Sequence, residues 1–508
     1  MAASSAGRVY LVGAGPGDPG LLTLRAAELL AAADVLLYDA LAADAIVALA
    51  PPSCERIFVG KRGGTHAMPQ ADIEALAIAK AREGLRVVRL KGGDPLVFGR
   101  GGEEAQALRE AGIAFEIVPG ISSAIAALAY AGIPVTHRRH AAAFTVMTGH
   151  EDPTKPASTL DWAKLADPQR TLVILMGMEN LHGIARELRA RGLDDNTPVA
   201  VVQEGTRPTQ RTATGTLATI ADVVEREGLE APAVVVVGGV AALRDELRWF
   251  DAGPLFGKRV LVTRTGEQSD AFARALLARG AEPIRAPAIA VVPPDDEAPA
   301  RNAAAQLAAY AWVVFTSQNG VDAIFAHLDE IGADARAFGN AKVAAIGDRT
   351  ADRLRAHGIR ADLVPSEFVG EALARALIER TSPGDRILFY GAAQARDVPV
   401  RALESEGRIP TVAAAYQTVF ASDPAYAEKV ARADVLTFTS ASTVRGFCSL
   451  LGGTEIAAAA ARGKIVTCIG PVTAQAARDA GLAPQVVAST YTTAGLLDAL
   501  EAFLSRGP

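Results

Sequence analysis

The sequence predicts an α/β protein along its whole length, with parallel sheets covered by helices. Valine-rich runs alternate with alanine-rich stretches of helical character, and 50% of the 508 residues are hydrophobic. Several of the valine-rich runs end in turns rich in Gly and Pro, which is typical of the carboxyl ends of strands in such sheets. A chain of this length is expected to fold as roughly three or four domains.

Composition excludes several classes of protein. The formal net charge of -6 argues against a general nucleic-acid binder. Cys54, Cys448 and Cys468 are odd in number and scattered, so they predict neither a disulfide framework nor a zinc site. The first residues contain no apolar core, and no apolar run approaches the roughly 20 residues that span a bilayer. We therefore expect a cytoplasmic protein with no nucleic-acid or membrane partner.

The first half of the chain divides into two strand-rich stretches. Strands are expected near 9–12, 35–38, 86–90 and 115–118, and, after a polar turn at 136–140, near 144–148, 171–176, 199–202 and 233–237. The turn predicts a first module, 8–250, with lobes of about 8–136 and 141–250. Gly253, Pro254 and Gly257 then predict a linker at 251–256.

The second half, 257–508, contains an internal repeat. Segments 314–317, 345–347 and 364–366 match 437–440, 468–470 and 487–489 at one offset of about 123 residues. Each copy has alternating strands and helices, which predicts two flavodoxin-like lobes. The β-rich segments 288–292 and 415–419 are expected to pair as crossings between the lobes. Lobe one would then combine 257–287 with 420–508, lobe two would cover 293–414, and a cleft would lie at the hinge.

Two glycine-rich loops of the first module are candidate binding elements. The loop from Lys91 to Gly102 directly follows a buried strand and combines glycines with charged residues, which favours a ligand site. The turn at 13–20 only partly fits a dinucleotide motif, because Asp18 occupies the third glycine position and Pro16 lacks a backbone donor. We expect no NAD there, and the spacing of His137 and His140 lacks a third ligand for a metal.

Together with segments 118–123 and 131–138, these loops make residues 8–250 resemble the uroporphyrinogen-III C-methyltransferases of the tetrapyrrole methylase family. Segments 59–62, 98–102 and 148–150 extend the match. The resemblance implies two α/β lobes with S-adenosyl-L-methionine in their cleft and S-adenosyl-L-homocysteine as a product. Two methyl groups would be transferred to C2 and C7 of uroporphyrinogen III, giving precorrin-2 of the sirohaem and cobalamin pathways. Members are usually dimeric, so a homodimer through this module is expected.

The resemblance also implies roles for individual residues. Asp39 would be the catalytic base and Lys61 the proton donor; the alternatives are a turn residue for Asp39 and a carboxylate anchor for Lys61. Lys91 is a further residue expected to face substrate carboxylates. The expected cofactor positions are Pro16, Gly92, Gly93, Asp94, Val97, Ser122, Ser123, Met176 and Gly205, and the expected anchors are Arg62, Arg100 and Arg138. Ser122 and Ser123 could equally be helix N-caps.

Residues 257–508 resemble the uroporphyrinogen-III synthases through segments 261–264, 315–317, 416–418, 438–440 and 469–474. The resemblance implies cyclisation of hydroxymethylbilane with loss of water, inversion of the last ring and no cofactor. Tyr416 would assist departure of the hydroxyl, or alternatively pack in the hinge. The expected substrate-binding residues are Arg264, Ser317, Ser440 and Thr473.

The sequence of the second module is also compatible with a different class of function. It could be a non-catalytic pair of lobes that binds a ligand and regulates the methyltransferase. Ring closure of hydroxymethylbilane distinguishes the two hypotheses. The dehydrogenase and chelatase modules that are fused to this methylase in some sirohaem synthases have no counterpart in the sequence, so the product is expected to be precorrin-2.

Overall fold

The computed structural model describes residues 7–60, 68–150, 160–367, 370–393 and 398–506, without the side chains of residues 267 and 268. Within these ranges the chain forms four five-stranded sheets flanked by helices, two in each half. The predicted α/β class is confirmed. No helix of the described residues is both long enough and apolar enough to cross a bilayer.

The first sheet is entirely parallel, with the order β3-β2-β4-β1-β5. Its carboxyl edge therefore gathers the loops that follow all five strands. The strands are β1 (Arg8–Gly13), β2 (Val35–Tyr38), β3 (Glu55–Phe58), β4 (Arg86–Lys91) and β5 (Ala114–Val118). The helices are α1 (Leu24–Ala31), α2 (Asp44–Val47), α3 (Gln70–Arg82), α4 (Gly101–Glu110) and α5 (Ser123–Tyr130).

The second sheet is mixed, so the expectation of parallel sheets is wrong here. Its order is β6-β7-β10-β8-β9, and among its pairs of neighbouring strands only β6 and β7 are parallel. The connection 204–210 between β8 and β9 is too short for a parallel crossover, which takes about a dozen residues. The strands are β6 (Ala143–Thr148), β7 (Arg170–Leu175), β8 (Pro198–Gln203), β9 (Arg211–Thr216) and β10 (Ala233–Val237). The helices are α6 (Trp162–Leu165), α7 (Leu181–Ala190), α8 (Ile220–Glu227) and α9 (Arg244–Leu247).

The second half contributes ten strands to two further sheets. They are β11 (Arg259–Val262), β12 (Glu282–Arg285), β13 (Ile289–Val292), β14 (Trp312–Phe315), β15 (Lys342–Ala345), β16 (Arg386–Ala392), β17 (Ile409–Phe420), β18 (Val435–Phe438), β19 (Ile465–Cys468) and β20 (Pro484–Val487). One sheet has the flavodoxin-like order β12-β11-β18-β19-β20 and is parallel. The other has the order β13-β17-β16-β14-β15, in which only β13 is antiparallel.

The helices of this half follow the internal repeat. Helices α12 and α17 come after β14 and β18, while α13 and α19 come after β15 and β19. The helices are α10 (Gly266–Leu277), α11 (Ala298–Ala305), α12 (Gln318–Glu330), α13 (Asp348–Ala356), α14 (Gly370–Ile378), α15 (Val398–Ser405), α16 (Tyr426–Arg432), α17 (Ala441–Leu450), α18 (Thr454–Ala460), α19 (Pro471–Asp479) and α20 (Thr493–Ser505).

The predicted pair of crossings is confirmed. Strand β13 lies antiparallel to the end of β17, with Ile289 opposite Phe420 and Val292 opposite Gln417. The segment before this pair belongs to the sheet that β18 to β20 complete, whereas the segment between the two crossings forms the other sheet. The predicted limits of the modules and lobes themselves stay a prediction.

The linker segment packs against both halves of the chain. The ring of Phe250 lies 4.8 Å from that of Tyr130 on α5 and 5.5 Å from that of Phe256, measured between centroids. Leu255 is fully buried in the same cluster as Val260 of β11. The two halves are therefore joined by packed aromatic and aliphatic side chains.

Candidate active sites

Four glycines bring the loops after β1, β4 and β5 into backbone contact. A Cβ on Gly120 would lie 2.2 Å from the Gly93 carbonyl oxygen and 2.7 Å from the Cα of Gly13. Gly15 and Gly93 exchange two backbone hydrogen bonds, of 3.1 and 2.8 Å, and both have positive φ values of about 70°. The close approach excludes a side chain at Gly120, and the positive φ values favour glycine at positions 15 and 93. The result is a set of closely packed loops at the carboxyl edge of the first sheet, with Gly13 and Gly15 buried and Gly93 and Gly120 partly exposed, and we call it the glycine cradle.

Asp94 ties two of these loops together. Its Oδ1 accepts a hydrogen bond from the Leu96 N–H at 2.8 Å, and its Oδ2 accepts one from the Gly120 N–H at 3.1 Å. Each carboxylate oxygen has further acceptor capacity. Asp94 is therefore held in one orientation beside the cradle, where a cofactor contact stays a prediction.

Ser122 and Ser123 lie directly against Gly93. A Cβ on Gly93 would be 3.8 Å from both the Ser122 Cα and the Ser123 nitrogen. Ser122 is the N-cap of α5, since its Oγ accepts from the Ala124 N–H at 3.3 Å. The capping alternative thus describes the Ser122 side chain, while Ser123 is the first residue of the helix.

The loop after β8 closes the cradle from the second lobe. The Asp18 N–H donates to the Thr206 Oγ1 at 3.1 Å, and the Arg207 guanidinium donates to the Leu41 carbonyl at 3.0 Å. A Cβ on Gly205 would lie 2.4 Å from the Ala127 Cβ on α5. The turn containing Pro16 and the loop containing Gly205 therefore meet at the junction of the lobes.

Unusual backbone conformations are concentrated in these loops. The described non-glycine residues with positive φ are Phe98, Arg100, Met176, Glu204 and Thr206. Such conformations cost on the order of 1–3 kcal/mol each and cluster at ligand sites. Met176 follows β7, which runs in the same direction as β8. Because β10 alone separates these strands, Met176 and the loop after β8 share one sheet edge, roughly 10 Å apart.

Apolar side chains surround the glycine cradle and remain exposed. They come from the loops after β2, β4, β5 and β7 and from the first turn of α5. They are Leu41, Leu96, Val97, Phe98, Ile121, Ile125 and Met176. Mostly apolar linings with a few polar groups are typical of sites for small molecules.

Asp39 lies at the carboxyl end of β2. Its Oδ1 accepts from the Leu41 N–H at 3.1 Å, so this oxygen stabilises a turn, as the alternative to a catalytic role for Asp39 predicted. Its Oδ2 is 3.4 Å from both terminal nitrogens of Arg89. Lys61 and Arg62 lie outside the described residues.

The expected carboxylate anchors differ in their surroundings. Arg100 and Arg138 are exposed, and Arg100 forms a 2.6 Å ion pair with Glu103. The expectation for Lys91 is wrong, because the side chain is buried and its Nζ lies 2.7 Å from Glu104. Burial and the neighbouring Arg89 lower the pKa of Lys91, while Glu104 opposes this shift. The sequence analysis missed Arg89 and Glu104, although charged residues alternating in a valine-rich strand were a visible signal.

Ser317 and Tyr416 are brought together in the second half. The Ser317 Oγ lies 2.9 Å from the Tyr416 hydroxyl oxygen, and it also accepts from the Gly320 N–H at 3.1 Å as the N-cap of α12. Tyr416 is only 9% exposed and belongs to the core of its lobe, which agrees with the packing alternative. The hydroxyl is nevertheless held at the amino end of a helix, where anionic groups are stabilised.

The corresponding helix starts in the other lobe carry Ser440 and Thr473. Ser440 caps α17 by accepting from the Thr443 N–H at 3.2 Å, and the Thr443 side chain completes a capping box. Thr473 lies in the first turn of α19 and is 5% exposed. Both residues are therefore integrated into helix starts, and their binding roles stay predictions.

Arg264 is partly buried directly after β11. Burial, together with repulsion from Arg349, lowers the pKa of Arg264 from its ordinary value to about 10. Arg349 is the second residue of α13 and is exposed. Because β11 and α13 belong to different lobes, this repulsion acts between guanidinium groups that come from the two lobes. The sequence analysis missed Arg349.

These features define a class of protein: a two-module α/β protein, with closely packed glycine loops at a sheet edge of the first module and two lobes joined by the paired strands β13 and β17 in the second. Residues 8–221 match the family model of Tetrapyrrole (Corrin/Porphyrin) Methylases, and residues 270–498 match that of Uroporphyrinogen-III synthase HemD. The chain belongs to the tetrapyrrole methylase family through its first module and to the uroporphyrinogen-III synthase family through its second.

Relatives support both assignments. The porphyrin biosynthesis protein HemD of Ruminiclostridium josui is 38% identical over 504 residues, which cover 97% of each chain. The S-adenosyl-L-methionine-dependent uroporphyrinogen III methyltransferase of Methanosarcina barkeri is 56% identical over 47% of this chain and 94% of its own. The uroporphyrinogen-III C-methyltransferase of Bacillus subtilis is 47% identical over 55% of this chain and 58% of its own.

Proposed function

We propose that the chain is a bifunctional enzyme of tetrapyrrole biosynthesis. Its second module cyclises hydroxymethylbilane to uroporphyrinogen III, and its first module methylates that product twice to precorrin-2. The observation that carries the proposal is that two consecutive stretches of one chain match these two families, and that each stretch builds its own pair of sheets. The synthase match disfavours a non-catalytic regulatory role for the second module.

The glycine cradle fits the methyl donor S-adenosylmethionine. Glycines let the loops after β1, β4 and β5 pack closely at the carboxyl edge of the sheet, and exposed apolar side chains lie on these and neighbouring loops. When bound, the cofactor supplies a methyl group already activated on a sulfonium. The protein then needs to hold the macrocycle in line with that group and to accept the proton that the ring loses.

We assign the proton acceptor to Asp39 and the cofactor contacts to the nine positions expected from the sequence. Asp39 lies at the same sheet edge as the cradle, and a Cβ on Gly92 would lie 2.6 Å from the Leu41 Cβ two residues beyond it. Lys61 is assigned as proton donor, and Arg62, Arg100 and Arg138 as anchors for substrate carboxylates. Guanidinium groups suit these carboxylates because they bind them in a bidentate manner.

In the second module we assign Tyr416 to the departure of the hydroxyl group as water. Its hydroxyl can donate a proton or a hydrogen bond to the leaving oxygen, while Ser317 orients it. Arg264 and the helix starts at Ser317, Ser440 and Thr473 would hold the substrate's carboxylates. The protein's main task is to fold the linear tetrapyrrole so that the inverted ring closes faster than the uninverted one.

We further propose that the enzyme acts in the cytoplasm as a homodimer formed through its first module, without nucleic-acid or membrane partners. The family resemblance supports the dimer, and the net charge of -6 disfavours nucleic acid.

The proposal is tested by supplying the full chain with hydroxymethylbilane under anaerobic conditions, with and without S-adenosylmethionine. We expect uroporphyrinogen III without the cofactor and precorrin-2 with it. Formation of isomer I alone would contradict the synthase assignment. An unmethylated product in the presence of the cofactor would contradict the methyltransferase assignment.

A further inference from the structure

A buried cluster of charged side chains lies beneath the glycine cradle. The Glu104 Oε1 accepts from the Lys91 Nζ at 2.7 Å, from the Gln70 Nε2 at 3.1 Å and from the Arg89 Nε at 3.3 Å. Glu104 is 3% exposed, and Lys91 and Arg89 are each 5% exposed. We call Lys91, Glu104, Arg89 and Asp39 the charge chain.

Strand alternation explains the positions of the two cations. Val87, Arg89 and Lys91 share one face of β4, and Leu90 points to the opposite face. Val87 on this shared face packs in the cluster with Leu108 of α4, so α4 covers the side from which Glu104 meets the cations. Burying such charges is costly, and apolar residues of similar size often serve stability as well or better. Core stability alone therefore gives a weak reason for ion pairs at these positions.

The charges balance only when Asp39 is included. Glu104 faces two cations, and Arg89 directs its Nε to Glu104 and its two terminal nitrogens to Asp39. Signs therefore alternate from Lys91 to Asp39. The Glu104 Oε2 is buried and accepts no hydrogen bond within the described ranges. Buried carboxylates usually accept hydrogen bonds on both oxygens. The unpartnered Oε2 therefore indicates that Glu104 has a role other than packing in the core.

The charge chain runs from the buried interior to the open edge of the sheet. Lys91 is buried and directly precedes Gly92 and Gly93 of the loop after β4. The Asp39 side chain follows β2 and is 24% exposed. Arg89 is the link between the exposed carboxylate and the buried one. Glu104 accepts from the Arg89 Nε, and one terminal nitrogen of Arg89 also donates to the Leu90 carbonyl at 3.1 Å, so the orientation of the guanidinium depends on Glu104 together with this backbone contact.

We propose that Glu104 is a positioning residue for methyl transfer: its buried carboxylate fixes Arg89, which in turn holds the Asp39 carboxylate at the mouth of the cradle. This inference rests on the proposed role of Asp39 as the proton acceptor. Glu104 touches neither cofactor nor substrate, and its effect on the reaction passes through Asp39.

The test uses Glu104→Gln in the full chain, alone and combined with Asp39→Asn. Glutamine keeps the shape but removes the charge that holds Arg89. We expect kcat for methylation of uroporphyrinogen III to fall about tenfold or more, with the dissociation constant of S-adenosylmethionine within about twofold of normal. In the Asp39→Asn background the same change should cost less than about twofold, because the path through Asp39 is already broken. Ring closure by the second module should be unchanged, and the near-normal dissociation constant of S-adenosylmethionine reports correct folding of the first module.

Two further variants complete the experiment. Arg89→Met leaves Lys91 and Glu104 as a neutral ion pair, so it tests the contact between Arg89 and Asp39 even if Glu104→Gln fails to fold. It should lower kcat for methylation as much as Glu104→Gln does. In the Asp39→Asn background it should have no further effect on kcat. Arg86→Met is the matched control. Arg86 lies on the same strand and pairs with Asp34 at 3.2 Å, at the opposite end of β4. Its kcat should be normal.

The outcomes separate the inference from the proposed function. Normal turnover in Glu104→Gln, or an equal loss with and without Asp39→Asn, would overturn the positioning role. Normal turnover in Asp39→Asn would instead remove the proposed base, and the inference with it.

Discussion

At the scale of single residues, hydroxyl and carboxylate side chains fix the ends of strands and the starts of helices. Asp94 joins two loops of the cradle, and Ser317 joins the start of α12 to Tyr416. Each of these bonds contributes about 1 kcal/mol net. Their larger effect is to hold reactive groups in one geometry before a substrate arrives.

Tyr416→Phe is expected to slow ring closure of hydroxymethylbilane about tenfold to a hundredfold, because it removes the donor beside the leaving hydroxyl while keeping the packed ring. Methylation of added uroporphyrinogen III should be unaffected. Stopped-time assays of isomer III formation measure the change. Tyr426→Phe is the control, since the Tyr426 hydroxyl is buried without a hydrogen-bond partner among the described residues. It should leave both activities intact, and an equal effect of the two variants would contradict the role of Tyr416.

Motifs predicted many site positions but could not predict their partners. Ser122 and Ser317 stand directly before helices, so their capping bonds follow from local sequence. The contact between Ser317 and Tyr416 joins residues far apart in the chain, and no local pattern encodes it. Glu104 was missed for the same reason, because its partners lie on a strand and on another helix.

At the scale of elements, valine-rich runs predicted the buried strands well. Strands β3 and β9 were missed; both are edge strands, and both carry polar residues because one side of each is open. The pattern of residues also did not predict the direction of each strand, since buried parallel and antiparallel strands have similar composition. The mixed second sheet is the consequence. The repeat was more informative, because a constant offset requires equivalent positions in both copies.

Gly120→Ala is expected to abolish or strongly weaken S-adenosylmethionine binding, because the new Cβ would meet the backbone of both other cradle loops. Calorimetric titration with the cofactor measures the loss. Gly102→Ala is the matched control, since a Cβ there has open space within 4 Å and the residue is helical. Unchanged affinity in Gly120→Ala would show that close packing of these loops is dispensable.

At the scale of the whole molecule, two modules with separate clefts share one chain. The glycines and the proline at residues 251–257 predicted the division, and the family matches fall on either side of it. The sequence could not predict that Phe250, at the end of the first module, packs between Tyr130 and Phe256 of the linker, since such contacts depend on how the finished elements meet. Because each cleft is built from its own sheets, each activity should be removable without the other.

The most direct measurement compares the full chain with its Asp39→Asn variant on hydroxymethylbilane plus S-adenosylmethionine, resolving products by mass and by isomer. The account predicts precorrin-2 from the unaltered chain. From the variant it predicts that unmethylated uroporphyrinogen III, formed at the normal rate, accumulates because methylation is slowed about a hundredfold or more. Methylated product at the normal rate, or isomer I in place of isomer III, would contradict the claim of two separate active sites with these roles.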